Sequence, residues 1–391
     1  MGASATTTVQ PVMDRFTLDG TDELESHLSS VSEAVVEGIT AVVPGSRLQA
    51  IILGGGYGRG EGGVLKSPSS DLPYNDMEFY VCIAGPAFLN EKRYGRQLQD
   101  IAHRCTEKAG IEVEFKILPL EKIITGPTTM FFYDLVMGHK VLLGSPTILK
   151  STNVHRVAAN IKLAEAIRLL MNRCSGLLYS EVALAKKDFS HEDADFVGRN
   201  QCKAKLALGD VVLTVNQRYH WSSVTRAQYL QALEDTLPWM KSVKAFHFDG
   251  VDFKLHPNRR EGAAGDFQQT QTELKTVSQQ VWLWLENLRL EQHFADVEQY
   301  ALSPINKCPD TADTKNRLIN LRKFGPKSLL SDKSSRYPRE RLLNTLPLLL
   351  WKPESINDPA LLRFIQSELN TIATSHAELV HAYRQLWSHY N

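Results

Sequence analysis

Residues 54–63 read GGGYGRGEGG, so that seven of ten positions are glycine. Glycine loses more backbone freedom on folding than any other residue, which disfavours both helix and strand here. The run directly follows residues 48–53, a hydrophobic segment typical of a short buried strand. We therefore expect the strand to end in a tight turn, and we expect the glycine run neither to continue it nor to begin a stable helix.

The segments around the glycine run follow alternating helix and strand patterns. Apolar residues recur every three or four positions over 22–42, which predicts an amphipathic helix with Thr21 as its N-cap. The later predicted elements are a strand over 76–83, a helix over 90–109 that stops at Gly110, and a strand over 111–118. The first 150 residues are thus predicted to be α+β.

Acidic side chains lie on both later strands. Asp76 and Glu78 are two positions apart, so their side chains leave the same face of a strand. Glu112 and Glu114 share a face in the same way, together with Lys116. Carboxylates that converge from neighbouring strands can hold one or two Mg²⁺ ions, which prefer oxygen ligands. In a two-metal site, one ion activates an attacking hydroxyl while the other steadies the leaving pyrophosphate.

The glycine run has a matching chemical use. A backbone without Cβ atoms can approach triphosphate oxygens and turn several N–H groups toward them. Arg59 can add charge-assisted hydrogen bonds to the same phosphates. Taken alone, a glycine run is more often a surface linker and an acidic pair more often a solvated strand end. Their order in the chain is what makes the combination informative.

In this order the residues resemble the nucleotidyltransferase superfamily, which includes DNA polymerase beta and the antibiotic and minimal nucleotidyltransferases. Residues 53–61 resemble the strand and glycine turn of that family, with Gly55 and Gly56 as its signature dipeptide. Residues 76–79 resemble its acidic pair, and 132–144 the segment that often closes the domain. The resemblance covers about residues 20–148 and implies a mixed sheet flanked by helices.

The resemblance also implies roles for individual residues. Asp76 and Glu78 would be metal ligands, and Glu114 would be a third ligand or the general base. The implied nucleotide-binding residues are Gly55, Gly56 and Arg59. The implied reaction depends on Mg²⁺, or on Mn²⁺ in its place. It transfers a nucleoside monophosphate from an NTP, ATP first among them, to a hydroxyl acceptor and releases pyrophosphate.

Two alternatives stay open for the acidic residues. The connection before Asp76 is longer than is usual in the family, which leaves Asp71 as a candidate, although Pro73 indicates a loop there. Glu112 competes with Glu114, and we prefer Glu114 because it lies nearer the middle of its strand. Residues 58–63 also satisfy GxGxxG, but neither the helix of a Rossmann fold nor the second strand of a kinase follows.

From about residue 152 the pattern becomes mainly helical. The predicted helices are 155–180, 195–218, 226–242, 270–297 and 356–389. Residues 246–253 alternate around Asp-Gly and predict a hairpin, and the following loop is a candidate boundary. We therefore expect a catalytic domain over 20–150 and a helical domain over 151–391 that closes over the nucleotide, with a further boundary near 256–268.

Two basic features of the helical half are candidates for binding phosphate. Lys205 lies among alanine, leucine and glycine, where an unpaired lysine is unusual, so we predict a phosphate contact. A lysine that reaches solvent is the commoner outcome at such positions. Residues 315–341 carry nine lysines and arginines against two acidic residues. Such a segment can bind a polyanionic acceptor such as RNA, but a solvated surface is the favoured interpretation.

Composition limits the class of protein. Among 391 residues, 44 Lys and Arg balance 44 Asp and Glu, which gives no overall field to hold a polyanion. Five scattered cysteines without a CxxC pair, and the lack of a long apolar stretch, indicate a cytoplasmic protein without membrane contact. Two alternative functions are a non-catalytic nucleotide-binding or interaction protein, and a toxin–antitoxin nucleotidyltransferase that modifies RNA or protein.

Overall fold

The computed structural model describes residues 15–68, 70–330 and 333–390. Internal contacts divide the chain into two compact units. The first unit holds the residues up to Asn160 and two later segments, His220–Thr225 and Asp252–Asn258. The second unit comprises Ile161–Tyr219, Arg226–Val251 and Arg259–Asn391. The first unit is therefore built from three separate stretches of sequence.

The first unit is α+β. Its helices are α1 (Asp22–Val42), α2 (Gly55–Gly58), α3 (Ala87–Ala109), α4 (Leu120–Thr125) and α5 (Met130–Met137). Its strands are β1 (Leu48–Leu53), β2 (Val64–Lys66), β3 (Asp71–Pro73), β4 (Met77–Ile83), β5 (Val113–Ile117) and β6 (Lys140–Leu143). Four strands form a mixed sheet in the order β5-β4-β1-β6, in which β4 and β5 are parallel and β1 is antiparallel to both neighbours. Strands β2 and β3 form a separate antiparallel pair.

The central strand β1 is buried on both faces, which explains its continuous run of apolar residues. Ile51 and Leu53 belong to a core that includes residues of α1 and α3. Ala50 and Ile52 point the other way, into a core that includes residues of α4 and α5. The sheet is therefore a layer between two sets of helices.

The ends of the first helices follow the sequence signals. The hydroxyl of Thr21 accepts a hydrogen bond from the N–H of Leu24 at 3.4 Å, so Thr21 is the N-cap of α1 as predicted. Gly110 ends α3 with φ +71°, a left-handed conformation that glycine adopts without steric cost. Helix α3 begins three residues before the predicted start, at Ala87.

The expectation that the glycine run would begin no helix was wrong, because Gly55–Gly58 form one helical turn. Tertiary packing stabilises this turn. The side chain of Tyr57 is fully buried, and its hydroxyl donates to the carbonyl of Gly63 at 3.1 Å. At Gly58 an added Cβ would lie 2.3 Å from the carbonyl oxygen of Leu53, so only glycine permits this close approach.

The rest of the chain is helical. The helices after Asn160 are α6 (Leu163–Leu184), α7 (His191–Val215), α8 (Ser223–Gln231), α9 (Met240–Leu255), α10 (Ala264–Leu290), α11 (Val297–Leu302), α12 (Asp313–Phe324), α13 (Arg339–Trp351), α14 (Pro359–Leu369) and α15 (His376–Tyr390). Within the described residues, no strand follows Leu143. None of the described helices is both long enough and apolar enough to cross a membrane. The prediction of a mainly helical second half is confirmed.

The hairpin predicted over 246–253 was wrong, because these residues lie inside the helix α9. Val243, His247 and Val251 are buried at a spacing of four residues, whereas Phe248 is exposed. Gly250 makes no turn. It lets the helix approach α7 closely, since an added Cβ would lie 2.5 Å from the backbone nitrogen of Leu206. The alternation of aromatic residues was therefore incidental to the helical period.

Two predicted helices are interrupted. Residues 226–242 are divided between α8, which ends at Gln231, and α9, which begins at Met240, with Pro238 between them. Proline disrupts a helix interior because it lacks an N–H and its ring clashes with the preceding turn. Residues 356–389 are divided at Asn370, whose φ of +53° ends α14. In both places the helix-like pattern of the sequence continues past the end of a helix.

Candidate functional site

Three carboxylates come together at one edge of the sheet. Each of Asp76, Glu78 and Glu114 offers an oxygen within 4.8 Å of the other two. Glu78 and Glu114 are directly opposite each other in the parallel pairing of β4 with β5, and Asp76 immediately precedes β4. The Asp76 side chain is exposed and the two glutamates are partly buried. The period of two along each strand and the parallel register therefore place these carboxylates on one face.

The other two acidic candidates lie elsewhere. Asp71 belongs to β3, where its carboxylate accepts hydrogen bonds from the N–H of Thr21 at 2.9 Å and from Lys66 at 3.0 Å. Glu112 precedes β5 and is exposed, and it is not a member of the carboxylate group. Both alternatives left open by the sequence are thereby outside this group.

Lys116 and Tyr80 are parts of the site to which the sequence analysis gave no role. The ammonium of Lys116 lies 2.9 Å from Oε2 of Glu114 and 3.3 Å from Oε1 of Glu78. The hydroxyl of Tyr80 donates to Oε2 of Glu78 at 3.0 Å. Strand alternation was the signal, since Lys116 and Tyr80 each lie two positions beyond one of the acidic residues.

The crowding of charges shifts several pKa values. Partial desolvation, followed by repulsion from Glu78 and Glu114, raises the pKa of Asp76. Burial alone would lower the pKa of Lys116, but hydrogen bonds and attraction from the two glutamates outweigh it and raise that pKa. Burial and the neighbouring Glu78 raise the pKa of Tyr80, which keeps its hydroxyl protonated as a donor. The group therefore has an excess of negative charge that favours cations.

The glycine turn packs directly against this acidic group. Gly55 has φ +61°, and a Cβ at this position would lie 3.1 Å from Oε2 of Glu78. The N–H of Gly54 donates to the carbonyl of Glu78 at 2.9 Å, and a Cβ on Gly54 would overlap the ring of Tyr80. A Cβ on Gly56 would lie 3.1 Å from the carbonyl oxygen of Glu61. The absence of side chains thus brings the turn and the carboxylates into contact.

Arg59 ends the glycine turn and is held by an ion pair. Its Nη1 lies 3.3 Å from Oδ2 of Asp134, and both side chains are mostly buried. Gly138 makes room for it, because a Cβ there would lie 2.5 Å from Cγ of Arg59. The positive charge is close enough to lower the pKa of Tyr80, against the larger effects that raise it. Arg59 is therefore near the acidic group, with its guanidinium bound to Asp134.

Lys205 belongs to the second unit. It lies on α7, and its ammonium is 3.0 Å from Oδ2 of Asp249 and 5.6 Å from the ring centre of Phe246. The ion pair and the aromatic ring account for a lysine in apolar surroundings. A phosphate contact by Lys205 stays a prediction.

Glu61 is a buried acidic residue that the sequence analysis did not single out as a separate feature. Its carboxylate accepts hydrogen bonds from the hydroxyls of Ser222 at 2.6 Å and Ser223 at 2.5 Å, and from the N–H of Ser223 at 2.8 Å. The ammonium of Lys254 lies 3.6 Å away. Glu61 thus ties the glycine turn to the two later segments of the first unit, and this structural role accounts for its burial.

The basic segment 315–341 consists of two different parts. Lys315, Arg317, Arg322 and Lys323 are exposed on α12. The later basic residues are engaged within the second unit, where Lys333 contacts Glu368 at 2.7 Å, Arg336 contacts Glu340 at 2.8 Å, and Arg339 donates to the carbonyl of Tyr390 at 2.8 Å. Residues 331 and 332 lie outside the described residues. The later part is therefore mainly structural, which reduces the surface available to a polyanion.

A groove of about 720 Å³ runs beside the carboxylates, between α3 and β5. Glu114 lines this groove and also belongs to the acidic group. Arg96 and His103 of α3 line it as well, together with the partly buried ring of Phe115. Glu114, which the sequence suggested as a general base, thus faces a groove with the volume of a small-molecule site.

Comparison with known proteins adds no relative. No protein-family model, no curated protein sequence and no solved structure matches this chain. A function is therefore inferred from the residues of the first unit. The features that carry this inference are the three carboxylates, the glycine turn in contact with them, and the groove that reaches Glu114.

Proposed function

We propose that the protein is a nucleotidyltransferase that depends on Mg²⁺, or on Mn²⁺ in its place. It transfers a nucleoside monophosphate from an NTP, with ATP the first candidate, to a hydroxyl acceptor and releases pyrophosphate. One observation carries the proposal: the carboxylates of Asp76, Glu78 and Glu114 lie within 4.8 Å of one another, and the glycine turn packs directly on Glu78. The mixed sheet with adjacent parallel strands supports a nucleotidyltransferase fold for the first unit.

The donor chemistry fits a hard divalent cation. Asp76, Glu78 and Glu114 offer only carboxylate oxygens, which Mg²⁺ and Mn²⁺ prefer, and the exposed side of Asp76 leaves room for phosphate and water. When bound, such an ion neutralises phosphate charge and lowers the pKa of the attacking hydroxyl. Partial desolvation, and then repulsion from Glu78 and Glu114, raise the pKa of Asp76, and a bound cation would relieve that repulsion.

The chain's own groups divide the remaining tasks. Tyr80 holds Glu78 in one orientation through its hydrogen bond of 3.0 Å. Because Gly55 has no side chain, the backbone of the glycine turn lies close to Glu78 and can approach a triphosphate bound there. Glu114 faces the groove and accepts the proton of the acceptor hydroxyl. Lys116 is half exposed, so its ammonium can leave the carboxylates and pair with a phosphate oxygen.

The test measures turnover in the wild type and in matched variants. Full-length protein with Mg²⁺, an NTP labelled at the α-phosphate and an acceptor panel is expected to release pyrophosphate and label one acceptor. Asp76→Asn should reduce both signals by about a hundredfold or more. Glu107→Gln is the matched control, because Glu107 is an exposed carboxylate of α3 outside the group. Full turnover in Asp76→Asn would overturn the metal-ligand assignment.

A second candidate function is favoured by the position of Lys116. Its ammonium bridges Glu78 and Glu114, so an internal cation already balances part of their charge. A non-catalytic protein on the same fold would retain this arrangement and bind a nucleotide or a partner without turnover. NTP binding that needs no divalent cation, together with no pyrophosphate release for any acceptor, would favour this function over catalysis.

A further inference from the structure

Strand β5 is the edge of the four-stranded sheet next to the acidic group. The order β5-β4-β1-β6 gives it one neighbour, and no strand of the described residues pairs with its outer side. An edge strand offers a row of backbone donors and acceptors to another extended chain. Since Glu114 is the second residue of β5, a chain paired with this strand would pass directly beside the candidate general base.

The direction of the backbone groups follows from the hydrogen bonds between β5 and β4. The carbonyl of Glu112 accepts from Met77, and the N–H of Leu118 donates to Val81, so these backbone groups face β4. In a parallel pair the backbone groups of alternate residues face opposite sides. Those of Val113, Phe115 and Ile117 therefore face outward.

The N–H of Val113 supports this direction, because it donates to the hydroxyl of Thr106 on α3 at 2.9 Å. The outward groups that follow it, at Phe115 and Ile117, are placed to pair with another strand.

The groove between α3 and β5 has the dimensions of a short strand. Its α3 wall runs from Glu91 to Thr106, which is about 22 Å of helix. Its β5 wall runs from Val113 to Ile117, about 13 Å of strand. The side chains of Phe115 and Ile117 turn toward the core beside α3, and Glu114 turns toward the acidic group. A paired strand would thus place alternate side chains in the groove and beside Glu114.

The charge of the groove distinguishes between polymeric acceptors. Three carboxylates line it, those of Glu91, Glu112 and Glu114, and Arg96 is the only lysine or arginine among its described lining residues. A polynucleotide would bring its phosphates against these carboxylates, which is unfavourable. The backbone of a polypeptide is uncharged, and its basic side chains would be attracted to the carboxylates of the groove. The groove is complementary to a basic extended peptide.

We propose that the acceptor is a serine, threonine or tyrosine hydroxyl on an extended, basic polypeptide segment that adds as a strand to the outer edge of β5. This proposal rests on the proposed nucleotidyl transfer. The hydroxyl oxygen forms a bond to the α-phosphorus of the NTP, and the bond between that phosphorus and the β-phosphate's bridging oxygen breaks. Pyrophosphate leaves with the electron pair, and the hydroxyl proton passes to Glu114.

The experiment uses full-length protein, Mg²⁺ and α-labelled ATP with two acceptor pools. One pool contains extended peptides with a central serine, threonine or tyrosine, flanked by either arginine or glutamate, and the other contains RNA oligonucleotides. We expect label on the arginine-flanked peptides. Glu91→Lys should reduce that label about fivefold, and Glu107→Lys, on an exposed part of α3 outside the groove, should not.

A second variant tests the backbone pairing. Ile117→Pro removes one outward N–H, and an edge position tolerates proline, so peptide labelling should fall about tenfold. Mn²⁺ binding to the carboxylates reports that the site is still folded in this variant. In the wild type, the arginine-flanked peptides should slow hydrogen exchange at the amides of Phe115 and Ile117.

Each outcome separates this inference from the function on which it rests. Label on RNA and none on peptides would overturn the peptide acceptor and retain nucleotidyl transfer. Peptide labelling that is unchanged by Ile117→Pro, or no amide protection at Phe115 and Ile117, would overturn docking on β5. The absence of both ATP binding and Mn²⁺ binding would instead overturn the proposed function itself.

Discussion

The ammonium of Lys116 lies 2.9 Å from Oε2 of Glu114, inside the group of carboxylates that we assign to a divalent cation. The two residues are neighbours on one face of β5, so the same strand supplies a ligand and a competing positive charge. A cation that binds here has to displace or repel the ammonium. This competition gives a direct way to measure whether the group binds metal.

Lys116→Met is therefore expected to strengthen Mn²⁺ binding. The side chain is about half exposed, so solvent screens the repulsion and the expected gain in affinity is about three- to tenfold. Titration followed by electron paramagnetic resonance measures the dissociation constant. Lys122→Met, on the exposed surface of α4, is the control and should leave it unchanged. An unchanged constant in Lys116→Met would show that Mn²⁺ binds elsewhere.

Gly55→Ala is expected to affect both stability and metal binding. The φ of +61° costs a residue with a Cβ about 1 kcal/mol, and the added methyl group would also press on Oε2 of Glu78 at 3.1 Å. We expect the Mn²⁺ affinity to fall severalfold in calorimetric titration. Gly45→Ala is the matched control, since a Cβ there meets nothing within 4 Å. Equal Mn²⁺ affinity in the two variants would separate the glycine turn from the acidic group.

Glu61 predicts a loss of stability in acid. Burial alone would raise its pKa, but Lys254 and the hydrogen bonds from Ser222 and Ser223 lower it from 4.5 to about 2. A depressed pKa in the folded state stabilises the protein above about pH 4.5, and this stabilisation is lost as the pH falls toward 2. The difference corresponds to about 3 kcal/mol. Denaturant unfolding at a series of pH values measures it.

Glu61→Gln should unfold at lower denaturant concentration near neutral pH and should lose less stability on acidification than the wild type. The amide keeps one oxygen for the serine donors but removes the negative charge that faces Lys254. Glu37→Gln, an exposed substitution on α1, is the control. Parallel pH profiles for Glu61→Gln and the wild type would contradict the ionised, buried state of Glu61.

Asp210 is the corresponding anchor in the second unit. Its carboxylate lies 2.7 Å from Nη1 of Arg226 and 3.0 Å from Nε2 of His247, and all three side chains are buried. Asp210→Ala is expected to cost about 3–5 kcal/mol of unfolding free energy, because it removes the carboxylate from a buried guanidinium. Denaturant unfolding of Asp210→Ala measures this loss, and Asp188→Ala, at an exposed position, is the control. A loss similar to that of the control would contradict the account.

Sequence patterns predicted the parts of this protein that local periodicity determines. The strands carrying Glu78 and Glu114 and the cap at Thr21 follow from alternation and side-chain chemistry, and the structure confirms them. The helical turn at Gly55–Gly58 depends instead on tertiary packing that buries the side chain of its own Tyr57, and a pattern of glycines contains no sign of that packing. The helix found in place of the predicted hairpin also depends on a tertiary contact, because Gly250 is needed for the close approach to Leu206.

The sequence predicted that an acidic group would form, but it did not decide whether Glu112 or Glu114 is its third member. The period of two placed Glu112 and Glu114 on one face, and the sequence preferred Glu114 for its central position. Only the parallel register, which sets Glu114 opposite Glu78, separates the two. The roles of Tyr80 and Lys116 depend on which strands are neighbours, and this information is not contained in any single strand.

Crystals grown with Mn²⁺ and a non-hydrolysable ATP analogue test the central claim most directly, because anomalous scattering locates the ion. The account predicts a peak about 2.0–2.3 Å from carboxylate oxygens of Asp76 and Glu78, with the triphosphate beside the turn at Gly55 and Lys116 withdrawn from Glu114. No peak at these carboxylates, with Lys116 still bonded to both glutamates and the nucleotide absent or elsewhere, would contradict it.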